Sequence, residues 1–481
     1  MASTPAPRDD DGWFSVLVGF VALLPRLYVA IAWPREPVWD GHYYDFGARR
    51  IAAGLGYSDG TTAWHPWCHW PVGYSGLLAM VYRIFGAGPH TATIANACIG
   101  ALLAVALHRF ARYELSRWRA RAAALLCALD PGLIVYSALV MTEPLVGLSL
   151  VVAGWAVARH VRDRPLKGAM LAGVALGLGT LVHPASIALA PLVALLCWRC
   201  AGAGSLRDAV RNAAGAGAIA TACALAVVLP WTLRNCRVMD RCAFVSTNGG
   251  WNLAIGSFAR ATGRFETLRS SDGCAIVTGQ VQQDACWRDL GIRTIENDPG
   301  RWLRLVPKKL GYTFDHESFP VEYLHEADPD RWPEPRRTAG RELLTAAHRL
   351  LLTASSFCVV PLAAVLRPKR PRRESLLAVG LLLAITAVAA FVWWSDRSPF
   401  YLLAVTMTLA APMAIPCGAR SRPVLAWAML CVLATLVTHA VFFGEDRYHI
   451  AVTPLLCVLA AAALSGSRTI FSDGAGQDRV L

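Results

Sequence analysis

Residues 39–86 read WDGHYYDFGARRIAAGLGYSDGTTAWHPWCHWPVGYSGLLAMVYRIFG and directly follow the first hydrophobic segment of the chain. A membrane protein with many spans normally joins its first two by a short polar turn, and this connection is far longer. Apolar and aromatic residues recur at helical spacing behind Asp40, which stands where a helix N-cap would stand. After a glycine-rich break, residues 74–85 form a second amphipathic run. Two interfacial helices around a polar loop predict an active site at the membrane surface.

The bulk composition places the chain in a membrane. It has 481 residues, of which 55% are hydrophobic and only 16% are charged, and a soluble domain of this size does not carry so much apolar sequence. The formal net charge of +13 does not indicate nucleic-acid binding, because the basic residues lie in short loops between apolar segments, where they set topology. We therefore predict an all-α polytopic membrane protein.

Apolar runs long enough, or nearly long enough, to span a bilayer recur about twelve times. They lie at 13–33, 90–108, 120–139, 144–158, 168–182, 184–198, 213–231, 350–366, 375–394, 400–416, 424–443 and 450–465. The pair that meets at His183 and Pro184 also fits a hairpin. Loops rich in Lys and Arg alternate with loops nearly free of them, and the rich ones are 109–122, 159–168, 199–211, 367–373 and 418–422. The positive-inside rule predicts a multi-pass protein of the inner or plasma membrane with both termini cytoplasmic and residues 39–86 facing outward.

Three parts are expected along the chain. An N-terminal membrane module, 1–231, holds the first external loop, 34–89, which carries the active site. The stretch 232–348 is polar and mixed in sign, with Asn-Gly, Asp-Gly and Asp-Pro turn signals, and is expected to be a small external segment packed on the bundle. Residues 349–481 supply the C-terminal membrane helices.

Most of the 14 cysteines lie inside apolar segments, where they act as small hydrophobic residues. Cys274 and Cys286 lie together in the outward segment and are predicted to form a disulfide if that compartment is oxidising. Cys236 and Cys242 offer another pair. The sequence shows no C-x-x-C pair and no His/Cys cluster at zinc spacing. We therefore expect no cofactor and no metal site, although a divalent metal does not conflict with the sequence.

Two carboxylates at predicted membrane boundaries are candidates for catalysis. Asp40 can act as a general base if its pKa is tuned, or it can be a helix N-cap worth about 1 kcal/mol. Asp45 is the alternative acid in the same run, unless it is a surface residue. Glu143 stands at the outer end of a span just before Pro144, where an acid is a functional candidate and helix-dipole capping is the alternative.

Several cations are predicted on the outward side, where short loops otherwise avoid positive charge. They are Arg234, Arg260, Lys308, Lys309 and Arg447, with His183 and His449. A phosphate held near the membrane needs such residues to converge from several segments. The alternative for each one is an interaction with lipid headgroups.

These pieces, in this order, resemble the GT-C membrane glycosyltransferases, specifically the superfamily of bacterial protein O-mannosyltransferases and the lipid A aminoarabinose transferase. The resemblance rests on four places in the sequence. They are Asp40 with Tyr43, Tyr44 and WPVGY (70–74); the YS…TEPL end of the third span (136–145); LPWTLRN (229–235) followed by STNGGWNL (246–253); and EDRYHIAVTP (445–454).

The resemblance implies a GT-C-like bundle and an inverting transfer of a sugar from a polyprenyl-phosphate donor to a hydroxyl acceptor in the cell envelope, at the outer membrane face among membrane lipids. Carried over, Asp40 would be the catalytic carboxylate, with Glu143 beside it, and the outward cations would stabilise the departing lipid phosphate. The remaining pocket positions are expected at Tyr43, Tyr44, Asp45, Trp70, Tyr74, Asn248 and Tyr448.

The chain departs from the family pattern at three places. The acidic residue that often follows the first-loop Asp is replaced by Gly41, the Arg-Pro after the fifth span by His183-Pro184, and the second proline of the Pro-Pro-Gly-Tyr element by Val72. The resemblance therefore does not transfer the identity of the sugar or of the acceptor.

Two other functions fit a chain of this kind. A secondary transporter or lipid flippase also has about twelve spans, but its paired halves and broken midplane helices are not evident here. A non-catalytic subunit of an envelope assembly is the other. A transferase predicts that Asp40, Glu143 and the outer cations converge on one pocket, whereas a transporter predicts a central polar pathway.

Overall fold

The structure is a computed structural model that describes residues 11–33, 35–59, 65–197, 205–275, 278–359, 371–414 and 422–464. Within these ranges the regular structure is helical, and β pairing is limited to two isolated bridges. The helices are α1 Gly12–Ala32, α2 Trp39–Ala52, α3 Val72–Phe85, α4 Pro89–Ala111, α5 Arg117–Leu129, α6 Pro131–Val135, α7 Glu143–His160, α8 Pro165–Val182, α9 Leu189–Leu196, α10 Leu206–Val238, α11 Gly249–Ile255, α12 Gln280–Asn297, α13 Pro299–Phe314, α14 Phe319–Ala327, α15 Glu334–Ser356, α16 Pro371–Trp394, α17 Phe400–Ala414, α18 Pro423–Val441 and α19 Thr453–Ala463. This confirms the predicted all-α fold class.

Five of the described helices, α1, α4, α8, α10 and α18, are long and apolar enough to cross a membrane. A sixth is counted if α5 and the following stretch, which meet at an angle of 49°, form one broken span. Shorter apolar helices include α3, α9, α19 and parts of α16 and α17. The multi-pass membrane character is therefore clear, while the expected total of about twelve spans stays a prediction.

The apolar sequence on either side of His183 is interrupted, as the hairpin alternative required. Helix α8 ends at Val182, a 3₁₀ turn follows over Pro184–Ala188, and α9 extends only over Leu189–Leu196. Proline lacks the amide hydrogen that would continue the helix and restricts the residue before it to extended conformations. The break leaves His183 at the end of the bundle.

The first external loop contains the two predicted short helices, α2 and α3. They pack against each other, and the Ser75 hydroxyl donates to the Tyr44 carbonyl over 2.9 Å. One detail of the prediction was wrong, because the N-cap of α2 is Val38 and Asp40 lies in the first turn. The Asp40 carboxylate is therefore not used as a cap and is available for other contacts.

The external segment is built from α11 to α15 and has a small core of its own. Ala254, Phe258 and Trp287 pack there together with Phe443, which comes from the C-terminal part of the chain. Helix α10 continues from the membrane part to Val238, and α15 runs on to Ser356. The segment is thus continuous with the bundle at both ends, and the three-part division of the chain stays a prediction.

Two disulfides close short loops in the external segment. They join Cys236 to Cys242 and Cys274 to Cys286. The predicted Cys274–Cys286 bond is confirmed, and the other pair forms as well. Of the basic loops used to predict topology, 199–204, 367–370 and 418–421 lie outside the described residues, as do 360–366 and 415–416 of the predicted spans.

Replacing Cys274 and Cys286 together by serine should lower the thermal stability of the protein. The bond closes a loop with a sequence separation of 12. Because such a closure restricts the unfolded chain, it stabilises the folded state by roughly 3 kcal/mol. The measurement is apparent Tm in detergent, combined with thiol alkylation and mass spectrometry with and without reductant. Full alkylation of both wild-type cysteines without reductant would contradict the bond, and Cys223→Ser, at an unpaired cysteine, is the control.

Candidate active site

One large cavity lies where the first external loop, the external segment and the C-terminal part of the chain meet. Its volume is about 970 Å³, which is at the upper end of the range of ligand pockets. The lining includes Trp39, Asp40, Tyr43, Tyr44, His69, Trp70, Thr142, Glu143, His183, Asn248, Trp251, Ser318, Phe319, His439, Phe443, Glu445, Arg447 and Tyr448. Residues far apart in sequence therefore share one wall.

An ion pair between Asp40 and Arg447 forms the centre of this wall. The Arg447 Nη1 donates to Asp40 Oδ2 over 2.5 Å, and the indole of Trp70 donates to the other carboxylate oxygen over 3.1 Å. Only 13% of the Arg447 side chain and 29% of the Asp40 side chain are exposed. Charge-assisted bonds of this kind are short and strong, and they fix both groups at the cavity surface.

Arg447 is held from several sides. Its Nε lies 2.6 Å from Glu445 Oε2, and its Nη2 donates to the Tyr448 hydroxyl over 3.3 Å. The rings of Phe319 and Tyr448 each lie 5.1 Å from the guanidinium carbon, within the range of cation–π attraction. The guanidinium is thus oriented by two carboxylates and two rings.

The electrostatics of the site follow from this arrangement. Burial raises the pKa of Asp40, but the adjacent Arg447 outweighs it, and the net pKa lies below the ordinary carboxyl value. Burial dominates at Glu445 and raises its pKa to about 7, although Arg447 opposes the rise. At neutral pH, Asp40 is therefore ionised, while Glu445 is near its titration midpoint.

Glu143 faces the same cavity from the first residue of α7. It is 7% exposed, and its Oε2 has no hydrogen-bond partner among the described residues. Pro144 follows it in the first helical turn, as predicted. A buried carboxylate oxygen without a partner is costly, so it is suited to receive a polar group of a bound ligand.

Aromatic rings form the floor around Asp40. Tyr43 stacks on Trp70 with the centroids 3.9 Å apart, and the largely buried Tyr44 packs edge-on against Tyr74. Asn248, at the N-cap position of α11, also lines the cavity. Of the residues predicted for the pocket, Tyr43, Tyr44, Trp70, Asn248 and Tyr448 reach the cavity.

Gly41 lies against Tyr323 next to the ion pair. A Cβ atom on Gly41 would stand 2.3 Å from the Tyr323 hydroxyl and 2.9 Å from the Val140 carbonyl oxygen. The same hydroxyl accepts a hydrogen bond from the Val38 amide over 3.2 Å. The position after Asp40 therefore has no room for a side chain.

Two of the predicted pocket residues serve packing instead. Asp45 accepts hydrogen bonds from Arg49 over 2.6 Å and from the Tyr82 hydroxyl, which joins α2 to α3. Tyr74 donates to the Asn96 side chain over 2.9 Å and is fully buried. Neither residue is in the cavity wall.

The structure brings only two of the predicted cations, Arg447 and His183, to the cavity. Arg234 donates to the carbonyl oxygens of Tyr57 and Trp67, and Arg260 pairs with Asp272 on the surface. The sequence shows that these residues are cationic and outward, but only the fold shows which of them already have partners.

The adjacent lysines of α13 also lie outside the cavity wall. Lys308 is exposed, whereas Lys309 is fully buried and donates to the carbonyl oxygens of Ala440 and Val441 at the end of α18. His449 is buried apart from the cavity, next to Glu317. Contrary to the prediction from the sequence, neither lysine is therefore placed to bind the donor in the cavity around Asp40 and Arg447.

Several lining residues were not among the predicted ones. Glu445 stands two residues before Arg447 in the quoted EDRYHIAVTP (445–454), so a local signal was present. Trp251 lies inside the quoted STNGGWNL (246–253), and His69 directly precedes WPVGY (70–74), so both stood in or next to a recognised motif. Phe319 comes from a position without a recognisable motif, and only the packing of the external segment over the bundle brings it to the site.

Comparisons with known proteins bear on this site. Residues 69–232 match the model of the dolichyl-phosphate-mannose-protein mannosyltransferase family. This mannosyltransferase match confirms the resemblance predicted from the sequence. It includes Trp70, Glu143 and His183, but it reaches neither Asp40 nor Arg447. A comparison with curated protein sequences gave no match.

Solved structures of the archaeal oligosaccharyltransferase of Archaeoglobus fulgidus are similar to the chain. The apo form shares 15% identity, with a TM-score of 0.46, over 95% of this chain and 51% of that one. The form in complex with Zn and sulfate shares 15%, with a TM-score of 0.45, over 92% and 48%. The complex with an inhibitory peptide and a dolichol-phosphate shares 15%, with a TM-score of 0.43, over 94% and 50%. The chain spans about half the length of these structures.

Lys309 should make the stability of the protein increase with pH in the alkaline range. Burial, together with nearby Arg301, lowers the pKa of Lys309 to about 7. Between this value and the ordinary lysine pKa near 10.4, the unfolded chain binds a proton that the folded chain does not, so stability rises with pH. Lys309→Met should flatten the rise of apparent Tm between pH 7 and about 10, and Lys308→Met should leave it unchanged. The same slope in both variants would contradict this account.

Proposed function

We propose that the chain is a membrane glycosyltransferase that moves a sugar from a polyprenyl-phosphate donor to a hydroxyl acceptor in the cell envelope, with inversion at the anomeric carbon. The observation that carries the proposal is the Asp40–Arg447 pair in the wall of a cavity of about 970 Å³. The pair places a proton acceptor beside a phosphate-binding group. The family description of the matched segment names a dolichyl-phosphate-linked mannose, which is the class of donor proposed.

The chemistry needs few groups. The acceptor oxygen attacks the anomeric carbon, its proton passes to the Asp40 carboxylate, and the bond from the carbon to the phosphate oxygen breaks. The leaving phosphate keeps the bonding electrons, and Arg447 stabilises its charge with two N–H groups. A phosphate that is already ionised needs little acid assistance, so one base and one cation are sufficient.

The contacts of the pair suggest the order of events. Both oxygens of Asp40 are occupied, by Arg447 and by Trp70, and the low pKa makes this carboxylate a weak base. A donor phosphate that binds Arg447 competes with Asp40 for the guanidinium. Weakening the ion pair raises the basicity of Asp40. Donor binding therefore prepares the base that the acceptor requires.

A second, much smaller opening of about 60 Å³ adjoins the cavity. It shares Glu143, His183 and Tyr448 with the cavity, and it continues between apolar side chains. These are Val146, Leu150, Leu189, Cys431 and Ala434. The opening is too narrow to hold a polyprenyl chain as it stands, so we infer only that the lipid part of the donor leaves the cavity on this partly apolar side, where the helices would have to separate.

The outward orientation is part of the proposal. Two disulfides in the external segment favour an oxidising compartment on that side of the membrane. Convergence of Asp40, Glu143 and Arg447 on one cavity near the external segment favours a transferase over a transporter, which needs its polar groups along a central pathway.

Asp40→Asn should abolish transfer while leaving expression and membrane insertion near wild type. Loss of a general base typically lowers a rate by a factor of about 10²–10⁴. The assay is incubation of purified protein with radiolabelled polyprenyl-phosphate sugars, followed by fractionation of membrane products into protein, lipid and glycan. Asp59→Asn, in the same external loop and paired with the exposed His65, is the matched control. Turnover at the wild-type level by Asp40→Asn would refute the assignment.

Arg447→Lys should weaken donor use with little effect on thermal stability. Lysine keeps the charge but cannot contact two phosphate oxygens in the bidentate geometry of arginine. The readout is donor titration at fixed acceptor, with apparent Tm measured in parallel. Arg260→Lys, which alters an exposed pair with Asp272, serves as control and should match the wild type. An unchanged donor dependence in Arg447→Lys would exclude the phosphate role.

A further inference from the structure

Three potential metal ligands lie together outside the cavity lining and apart from the machinery described above. They are Glu317, His348 and His449, and one ligand atom from each lies within 4.8 Å of those of the other two. Glu317 precedes α14, His348 lies on α15, and His449 lies in the 3₁₀ turn Asp446–Ala451. The three side chains are 3%, 2% and 0% exposed. The fold thus buries three polar groups from separate elements in one place.

The hydrogen bonds of the two histidines leave one ring nitrogen of each facing the cluster. His449 uses Nδ1 to donate to the Thr313 carbonyl over 2.7 Å, and His348 uses Nε2 to donate to the Phe314 carbonyl over 2.9 Å. A ring nitrogen that donates to a carbonyl is protonated, so in the neutral rings, the form that binds a metal, Nε2 of His449 and Nδ1 of His348 carry the lone pairs. Metal-binding histidines are oriented by backbone carbonyls in this way.

The third group is a carboxylate with unused acceptor capacity. Glu317 Oε1 has no hydrogen-bond partner among the described residues, and neither has His449 Nε2. The other oxygen of Glu317 lies 3.8 Å from His449 Nε2, which is too long for a hydrogen bond. Buried polar atoms are normally satisfied, so these two indicate a missing partner between them.

We propose that Glu317, His348 and His449 bind a divalent cation of the zinc class. Two imidazoles and one carboxylate form a common zinc ligand set that leaves a fourth position for water. Ligand atoms around tetrahedral zinc lie about 3.4 Å apart, so the present spacing closes with small side-chain rotations. The stacked rings of His348 and His449, with centroids 3.7 Å apart, are compatible with two neutral imidazoles and disfavour two protonated ones.

The position of the site suggests that the ion has a structural role. The site joins the end of α13, the start of α14 and helix α15 to the 3₁₀ turn that contains His449. The same turn carries Arg447, which precedes His449 by two residues. Asp446 in that turn already accepts hydrogen bonds from the Ser318 hydroxyl and the Phe319 amide. A bound ion would fix the same junction more firmly. The proposal does not depend on the nature of the transferred group.

Metal content of the full-length protein tests the proposal. The protein is purified without an affinity metal or a histidine tag, dialysed against micromolar ZnCl₂ and then against metal-free buffer, and analysed by plasma mass spectrometry. We expect about one zinc per chain in the wild type and loss of most of it in His348→Asn and in Glu317→Gln, since each removes one of three ligands. His316→Asn, which changes a partly exposed neighbour outside the cluster, should retain the metal.

Two further readouts make the result independent of transfer activity and of variant folding. Zinc should raise the apparent Tm of chelator-treated wild type but not of Glu317→Gln, and X-ray absorption at the zinc edge should show nitrogen and oxygen ligands. Zinc absent from the wild type after dialysis overturns the proposal. So does sulfur in the coordination shell, or zinc retained in a well-folded His348→Asn/His449→Asn double variant.

Discussion

A partly buried ion pair joins two parts of the chain that the sequence separates by 407 positions. Taking a carboxylate and a guanidinium out of water is expensive, and the cost is recovered only when each remains paired and hydrogen-bonded. The contacts among Asp40, Trp70 and Arg447 hold three elements together at this point: α2, the start of α3 and the turn before α19. The external segment closes over them through Phe319. The cavity exists because these elements must meet to satisfy the charges.

The fold class and the first external loop could be predicted because they depend on local properties. Hydrophobic runs, basic loops and the amphipathic spacing behind Asp40 are readable without tertiary contacts. Asp40, Glu143 and Arg447 could be selected for the same reason, since each stands at a predicted membrane boundary. The predicted start of α2 was off by two residues, since Val38 and not Asp40 occupies the N-cap position. Boundaries of this kind vary by a residue or two even between structures.

The roles of the other cations could not be read from the sequence. Lys309 and Arg234 are equivalent to Arg447 in charge and in the predicted side of the membrane. In the fold, however, Lys309 donates to carbonyl oxygens at the end of α18, and Arg234 donates to carbonyl oxygens of the first external loop. Such partners are set by packing over long sequence distances. The same limit hid the Glu317, His348 and His449 cluster, since its members are spread over 133 positions in three elements. No local spacing rule connects them.

The close contact of Gly41 with Tyr323 has a consequence for how such sites diverge. An acidic residue at position 41, which is common in the family that the chain resembles, requires both the Tyr323 phenol and the Val140 backbone to lie elsewhere, because a Cβ alone would stand 2.3 Å and 2.9 Å from their oxygens. The two positions, one in the first loop and one in α14, are therefore mutually constrained. Chains with an acidic residue after the first-loop Asp should carry a smaller residue at the α14 position, and chains with glycine there can retain tyrosine. A carboxylate after the first-loop Asp and a tyrosine in α14 are thus alternative ways of filling the same space.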